Sequence, residues 1–379
     1  MKKSILLFAA TLFAAATFAQ TTPTVSASSV TFKYCETKTD SVKITVPAGQ
    51  LPYLWNGNYI TEFGTSVHTL TNARGCDSIV LVTLIDANGA IPFAFSISAT
   101  EKVYFSQGNL QYCAAPTSEP KTHKVANPTG STQPGIFRFA EHQYDFVGNA
   151  SVGNVYENNT KCNNIKLAED YSGWIDLFTW GGTGYGGDGH EPYGTSAGSS
   201  PGYNNSIDYN NNNQKYYDYG VFNAISNGGN EPGMWIMLTN QQWQYIFDGR
   251  TNAHKKIATA KVAGITGTIL LPDEWTLPQG LSFEPLGNTT NNTYTAEQWK
   301  LMEANGAVFL MNNGYMSRDN NKYTYQTSPA YYWTTTWNDN PYAYQGVMST
   351  SENNNVLYHY ANAIYPYYRA SVRLVRKVQ

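Results

Sequence analysis

The side chains best suited to chemistry gather near the carboxyl end. From Tyr331 to Tyr368 there are nine tyrosines, two tryptophans and six asparagines, against only two acidic residues, Asp339 and Glu352. Aliphatic residues are few there, so the stretch cannot all be core. Tyrosine offers a large, rigid contact area with a hydroxyl at its tip and little rotamer entropy to lose, while Asn and Ser supply adaptable hydrogen bonds. That mixture suits recognition of a protein. It also suits a glycan, because aromatic faces stack on apolar sugar faces while amides bind hydroxyls. The residues expected to make contacts are Trp337, Asn338, Tyr342, Tyr344, Tyr358, His359, Tyr360, Asn362, Tyr365 and Tyr367.

Other reactive side chains are dispersed. His123, His142, His190, His254 and His359 form no pair at the spacing of a metal site, and His190-Glu191 lies in a Gly-rich stretch. Gly181 to Gly189 does not lead into a helical pattern, so no phosphate-cradling loop is read there, and no Ser-centred nucleophile elbow is visible. Asp273-Glu274 is the most tempting pair for two-carboxylate hydrolysis. Cys35, Cys76, Cys113 and Cys162 are even in number and lack metal-site spacing. In an oxidising compartment they are disulfide candidates, with Cys35–Cys76 and Cys113–Cys162 the natural pairs.

An oxidising compartment is what the beginning of the chain implies. Lys2 and Lys3, an apolar run from Ile5 to Phe18, and Thr17-Phe18-Ala19 have the layout of a cleavable signal peptide over residues 1–19. The run is short for a bilayer span, and polar Thr21 and Thr22 follow at once. No cysteine stands at the new N-terminus to take a lipid. Nothing later is apolar enough to span a membrane, so no transmembrane segment is expected in the mature chain. The expected location is secreted or cell-surface, with the periplasm as the alternative, and no sorting module is expected after the closing strand. A net charge of −3 with only 13% charged residues argues against a nucleic-acid partner, which needs a basic face.

The elements that must position these residues divide in two. Residues 24–86 read as a small all-β module. Val42, Ile44 and Val46 fall on one face at period two, Asn56-Gly57 is a hairpin turn, and Thr65–Leu70 and Ser78–Leu84 are further strands. So small a module has little core, and a Cys35–Cys76 bridge would add about 3–4 kcal/mol by closing a long loop. Asp86 to Ile91 is a turn-rich joint, and a larger domain runs over 93–379. Its early strands lie at Phe95–Ile97 and Lys102–Phe105. Residues 116–134 read as an exposed loop, and 181–215 are too polar to build core. Two helices stand out, each with a capping box: Thr239 with Gln242, running to Gly249, and Thr295 with Gln298, ending at Gly306. Ser371 to Arg376 alternates as a closing strand with Val372 and Leu374 inward. The fold class is therefore α+β.

Several segments carry a family resemblance. Trp55-Asn56-Gly57-Asn58-Tyr59 with Asn72-Ala73-Arg74-Gly75-Cys76-Asp77-Ser78 resembles the Ig-like repeats of large bacterial surface proteins, which implies a spacer role. Tyr171 to Gly181, Ala224 to Asn230, Leu270 to Pro278, Gln298-Trp299 with Gly306 to Leu310, Tyr331 to Thr336 and the Ser371 ending resemble, in that order, a family of paralogous secreted bacterial domains, the FISUMP type. That family looks like the C-type-lectin fold in its formylglycine-generating-enzyme variety, the variety also used by the variable proteins of diversity-generating retroelements. The resemblance implies that Asp273-Glu274 and Trp333 are scaffold. It also implies that Asn353 to Tyr365, rich in residues reachable by altering the first two bases of an Asn codon, is a diversified segment.

The formylglycine-generating chemistry does not carry over, because it needs reactive cysteines late in the domain and none follows Cys162. Trp337-Asn338-Asp339 spells the Trp-Asn-Asp motif of calcium-dependent sugar-binding lectins, which makes Asn338 and Asp339 candidate Ca²⁺ ligands. The partner Glu-Pro-Asn motif is missing, since Glu231-Pro232-Gly233 lies far upstream and ends in Gly, so no cofactor is otherwise expected. The expectation is an exported, non-enzymatic binding protein with an extracellular protein or glycan ligand. The alternatives are a carbohydrate-active or oxidase-like enzyme on the same fold, and a purely structural surface protein.

Overall fold

The computed structural model describes residues 39–47, 50–61, 63–71, 77–113, 116–117, 121–124, 132–146, 165–166, 174–180, 218–316, 322–324, 330–336, 344–345, 347–350, 357–358, 363–364 and 369–378. The expected signal peptide, Cys35, Cys76, Cys162 and the 181–215 stretch lie outside the described residues. Strands predominate over helices, in several small sheets. The architecture is mixed α and β, as the α+β reading requires.

The small module is built on the long strand Asp77–Asp86. It pairs antiparallel with Gly64–Thr71 and, on its other edge, parallel with Thr39–Val46. Period two decides what it buries: Val80, Val82, Leu84 and Asp86 face inward while their neighbours are at least partly exposed. Along Thr39–Val46 the expected inward face is graded, from Val42 at 38% exposure to Val46 at 1%. The expected hairpin joins Tyr53–Trp55 to Asn58–Ile60. Both turn residues take the left-handed conformation, Asn56 at φ 43° and Gly57 at φ 79°, which matches the twist of the flanking strands.

The larger domain contains two four-stranded sheets. In one, the closing strand Leu374–Lys377 lies between Ile236–Met237 and Lys102–Phe105, with Phe95–Ser96 on the far edge. In the other, Ile257–Val262 and Ile265–Leu270 form a hairpin flanked by Thr293–Tyr294 and Val308–Met311. Both expected helices form, over Asn240–Gln244 and Ala296–Ala304, and both capping boxes are complete. The first continues as a π-turn over Tyr245–Gly249 and buries Trp243, Ile246 and Phe247. The second buries Trp299 and Met302. Gly306 closes it at φ 91°, and a Cβ there would stand 2.6 Å from the Pro92 carbonyl oxygen, so the position admits only glycine.

Three features depart from the sequence reading. The expected 116–134 loop carries an antiparallel pair, Thr122–Lys124 with Thr132–Pro134. A short helix, Tyr219–Phe222, is capped by Asp218. Finally, the closing segment does not alternate between core and water. Val372 and Leu374 are inward as expected, but Arg373 and Val375 are also buried, at 1% and 0% exposure. Packing on both faces hides every side chain from Ser371 to Val375, and only beyond it does the strand reach solvent, at Lys377.

The joint between the two parts is tied into both. Ala87 N donates to Val46 O at 3.0 Å, Ile91 N to Phe105 O at 2.7 Å, and Gln107 N to Gly89 O at 2.7 Å. Phe63 meets Tyr104 edge-on at 6.0 Å, and a Cβ on Gly64 would clash with the Phe93 ring at 2.5 Å. Asp86 of the small module is ion-paired with Arg376 of the closing strand. The Arg376 guanidinium lies 5.4 Å from the Trp235 ring and 6.0 Å from Phe63. The hydrophobic core accordingly runs from one part into the other.

Candidate ligand-binding surface and the core that holds it

Of the ten residues expected to make contacts, two fall in described strands. Tyr344–Gln345 pairs antiparallel with Ala363–Ile364, which sets Tyr344 opposite Ile364. Leu357–Tyr358 pairs with Val347–Thr350, which sets Tyr358 opposite Ser349. Val347–Thr350 pairs in turn with Ala330–Tyr331. Trp337, Asn338, Tyr342, His359, Tyr360, Asn362, Tyr365 and Tyr367 lie outside the described residues, as does Asp339, the second Ca²⁺ candidate.

The two ends of this segment are clamped together. Trp333 N donates to Ser371 O at 2.9 Å, and Ser371 N donates to Tyr331 O at 3.1 Å. Below the clamp the base is closed. Trp333, 1% exposed, donates its indole N–H to Phe178 O at 2.6 Å, and Trp180, also 1% exposed, donates to Thr334 O at 2.9 Å. Thr335 N donates to Leu238 O at 3.1 Å, and Thr336 Oγ1 accepts from Asn240 N at 2.9 Å. Trp333 is thus core, as the scaffold reading expects, and Tyr332 is buried beside it.

Behind the clamp, buried Arg373 organises a polar network that links four separate stretches of chain. Its Nη2 donates to Ser106 O at 2.6 Å and to Gln143 Oε1 at 2.8 Å, and its Nη1 lies 3.4 Å from Asn109 Oδ1. Gln143 Oε1 also accepts from Phe309 N at 2.7 Å, and its Nε2 donates to Ala307 O at 3.0 Å and to Glu303 Oε2 at 2.9 Å. Glu303 Oε2 accepts a second donor, Trp299 Nε1, at 3.1 Å. Asn109 Nδ2 reaches Tyr332 Oη at 3.3 Å. Burial raises the pKa of the Glu303 carboxyl, pushes the Tyr332 phenol up to about 12 and lowers the Arg373 guanidinium to about 10. Arg373 therefore stays charged at neutral pH, and the neutral phenol can donate as well as accept. The sequence reading missed this network. The one hint was an arginine set between the core residues Val372 and Leu374.

The remaining sequence candidates do not converge. Asp273 accepts from Ser96 N and Oγ at 2.9 and 2.5 Å, while Glu274 is exposed. Burial pushes the Asp273 carboxyl up, but the two Ser96 donors with Arg250 and Lys256 outweigh it, and the group sits below its ordinary value. His142 Nδ1 lies 3.1 Å from buried Asp145, and its ring stacks on Tyr144 at 5.0 Å. His254 is exposed, and His190 and His359 lie outside the described residues. Cys113 is buried in the strand Leu110–Cys113, opposite Ile136. Among the described residues, no group of three or more His, Cys, Asp and Glu is placed to hold a metal ion. No helix among them is long and apolar enough to cross a membrane.

Asp218 carries a pH dependence of the same sign as that of Glu303. Its carboxylate accepts from Gly220 N at 2.9 Å, Val221 N at 3.2 Å and Met237 N at 2.9 Å, yet burial pushes its pKa up to about 7. Across the window from about pH 4 to 7 the unfolded chain has lost this proton while the folded chain keeps it, so stability falls as pH rises. The expected decline is about 1 kcal/mol per pH unit in mid-window. Denaturation of Asp218→Asn at a series of pH values checks this, because the variant should lose the part of the slope that Asp218 supplies and keep that of Glu303. A wild-type stability that rises from pH 5 to 7 would contradict it.

In comparison with known proteins, the chain matches no family model, no curated protein and no solved structure.

Proposed function

We propose that this chain is an exported, non-enzymatic binding protein. A small Ig-like β module precedes a C-type-lectin-like domain of the formylglycine-generating-enzyme type, and the 331–368 segment recognises an extracellular protein or glycan. The clamp between Tyr331, Trp333 and Ser371 supports this reading. It holds both ends of the Tyr- and Asn-rich segment side by side on a buried tryptophan base. Binding residues concentrate on segments that a fixed scaffold presents, and Tyr and Trp side chains give large contact area at little entropy cost beside adaptable amides. The enzyme alternative has no comparable support, since Asp273 is engaged by Ser96 and Glu274 faces solvent.

The test is a glycan and protein array probed with the whole mature chain, with and without calcium, followed by the triple variant Tyr358→Ala, Tyr360→Ala, Tyr365→Ala. Aromatic hot spots cost about 2 kcal/mol or more each when truncated, so the variant should lose detectable binding. Its melting temperature should stay near that of the parent, and chelation of calcium should leave binding unchanged. A large loss of stability would assign those rings to the core and end the proposal.

A further inference from the structure

The chain is acidic overall, yet one neighbourhood gathers cations around a single aspartate. Arg250, which follows the π-turn, is 4% exposed. Its Nε donates to Ile246 O at 2.7 Å, its Nη1 lies 3.4 Å from Asp273 Oδ1, and its Nη2 has no partner. Lys256 Nζ donates to the Asp273 carbonyl oxygen at 2.5 Å. Lys102 Nζ stands 3.6 Å from Asp273 Oδ2, beyond hydrogen-bond reach, and its side chain is about half exposed. Oδ2 is already filled by the two Ser96 donors. Three cations therefore gather around Asp273: Arg250 and Lys102 at its carboxylate and Lys256 at its main-chain oxygen. Exposed His254 and Lys255 directly precede Lys256, and exposed Glu274 is a further acid whose charge acts on it. Burial and the nearby charges of Arg250 and Lys102 hold the Lys256 ammonium below its usual pKa.

An ammonium has three donors, and here only one of Lys256's is used and none of Lys102's at hydrogen-bond distance. Like charges brought together in a half-buried place repel one another, and a second anion relieves that repulsion. A dianion relieves it more than chloride does, and charge-assisted N–H···O bonds add direction. We propose that Lys102 and Lys256 form the rim of a site for a tetrahedral oxyanion, a phosphate or sulfate group borne by a ligand, with buried Arg250 as the fixed positive charge beneath. Asp273 and Ser96 hold the three cations in place. This site uses none of the residues of the 331–368 segment.

The experiment is isothermal titration of the whole mature chain with inorganic phosphate, and separately with sulfate, at an ionic strength held constant with chloride. Saturable one-to-one binding is expected, weakened at least about tenfold in Lys102→Gln, Lys256→Gln and unchanged in Lys255→Gln. Lys102→Gln alone removes no hydrogen bond, so it keeps the test open if the double variant fails to fold. It should weaken phosphate binding severalfold while leaving the phosphate-free melting temperature in place. Heats indistinguishable from the chloride control, or parental affinity in Lys102→Gln, would overturn the proposal.

Discussion

Replacing Arg373 by Met should lower the free energy of unfolding by about 3–5 kcal/mol, the cost of removing one partner from a buried charged network. The methionine fills most of the volume, so the loss reads out hydrogen bonds rather than a cavity. Ser106 O loses a bond of 2.6 Å, Gln143 Oε1 one of 2.8 Å, and the buried carboxyl of Glu303 loses its neighbouring positive charge. Arg373→Lys should recover only part of this, because an ammonium cannot span Ser106, Gln143 and Asn109 with one planar fork. Chemical denaturation of both variants measures the effect. A change below about 1 kcal/mol in Arg373→Met would mean that the network is held by its backbone partners alone.

The second large effect should appear where the two parts of the chain meet. The Asp86 side chain is fully buried, accepts from Asn88 N at 2.7 Å and is ion-paired with Arg376. Asp86→Ala leaves that guanidinium enclosed with no counterion, and its Nη1 already lacks a partner. The expected cost is about 3 kcal/mol or more, and a double-mutant cycle with Arg376→Ala should give a coupling of about 2 kcal/mol. Burial has already lowered the Arg376 pKa to about 10, so the unpaired guanidinium is expensive to keep charged. A coupling near zero would show that this ion pair adds nothing net to the hold between the two parts, leaving it to the Phe63–Tyr104 contact and the shared core. The same contact explains why binding experiments should use the whole mature chain: a fragment beginning at Phe93 lacks Asp86 and exposes Tyr104 where Phe63 now packs.

Local structure was legible wherever a few neighbouring residues settle it. Asn56-Gly57 dictates a tight hairpin because both residues tolerate positive φ, and the structure has them there. Thr239 with Gln242 and Thr295 with Gln298 start helices because each pair satisfies two otherwise orphaned N–H groups within one turn. The Thr122–Lys124 and Thr132–Pro134 pair was not legible, since Pro, Thr and Lys read as loop and only the pairing of the two stretches with each other makes them strand. The Tyr- and Asn-rich segment was visible by composition alone. That its two ends are pinned together is a fact about Trp333 and Ser371, thirty-eight positions apart, which no local pattern encodes.

What the residues alone determined is periodicity, turn chemistry and caps, because those interactions span only a few positions along the chain. They also fixed the concentration of aromatic and amide groups near the carboxyl end. Only the tertiary structure decided which charges are buried. In the sequence Arg373 stands between Val372 and Leu374, Arg376 between Val375 and Lys377, and Arg250 between Gly249 and Thr251, and none of these neighbours tells which cation is buried. Whether each is solvated, paired or enclosed depends on Gln143, Asp86 and Asp273, which come from remote stretches of chain. Charge burial is a property of the assembled surroundings, and the dielectric around a side chain is set by everything that packs against it.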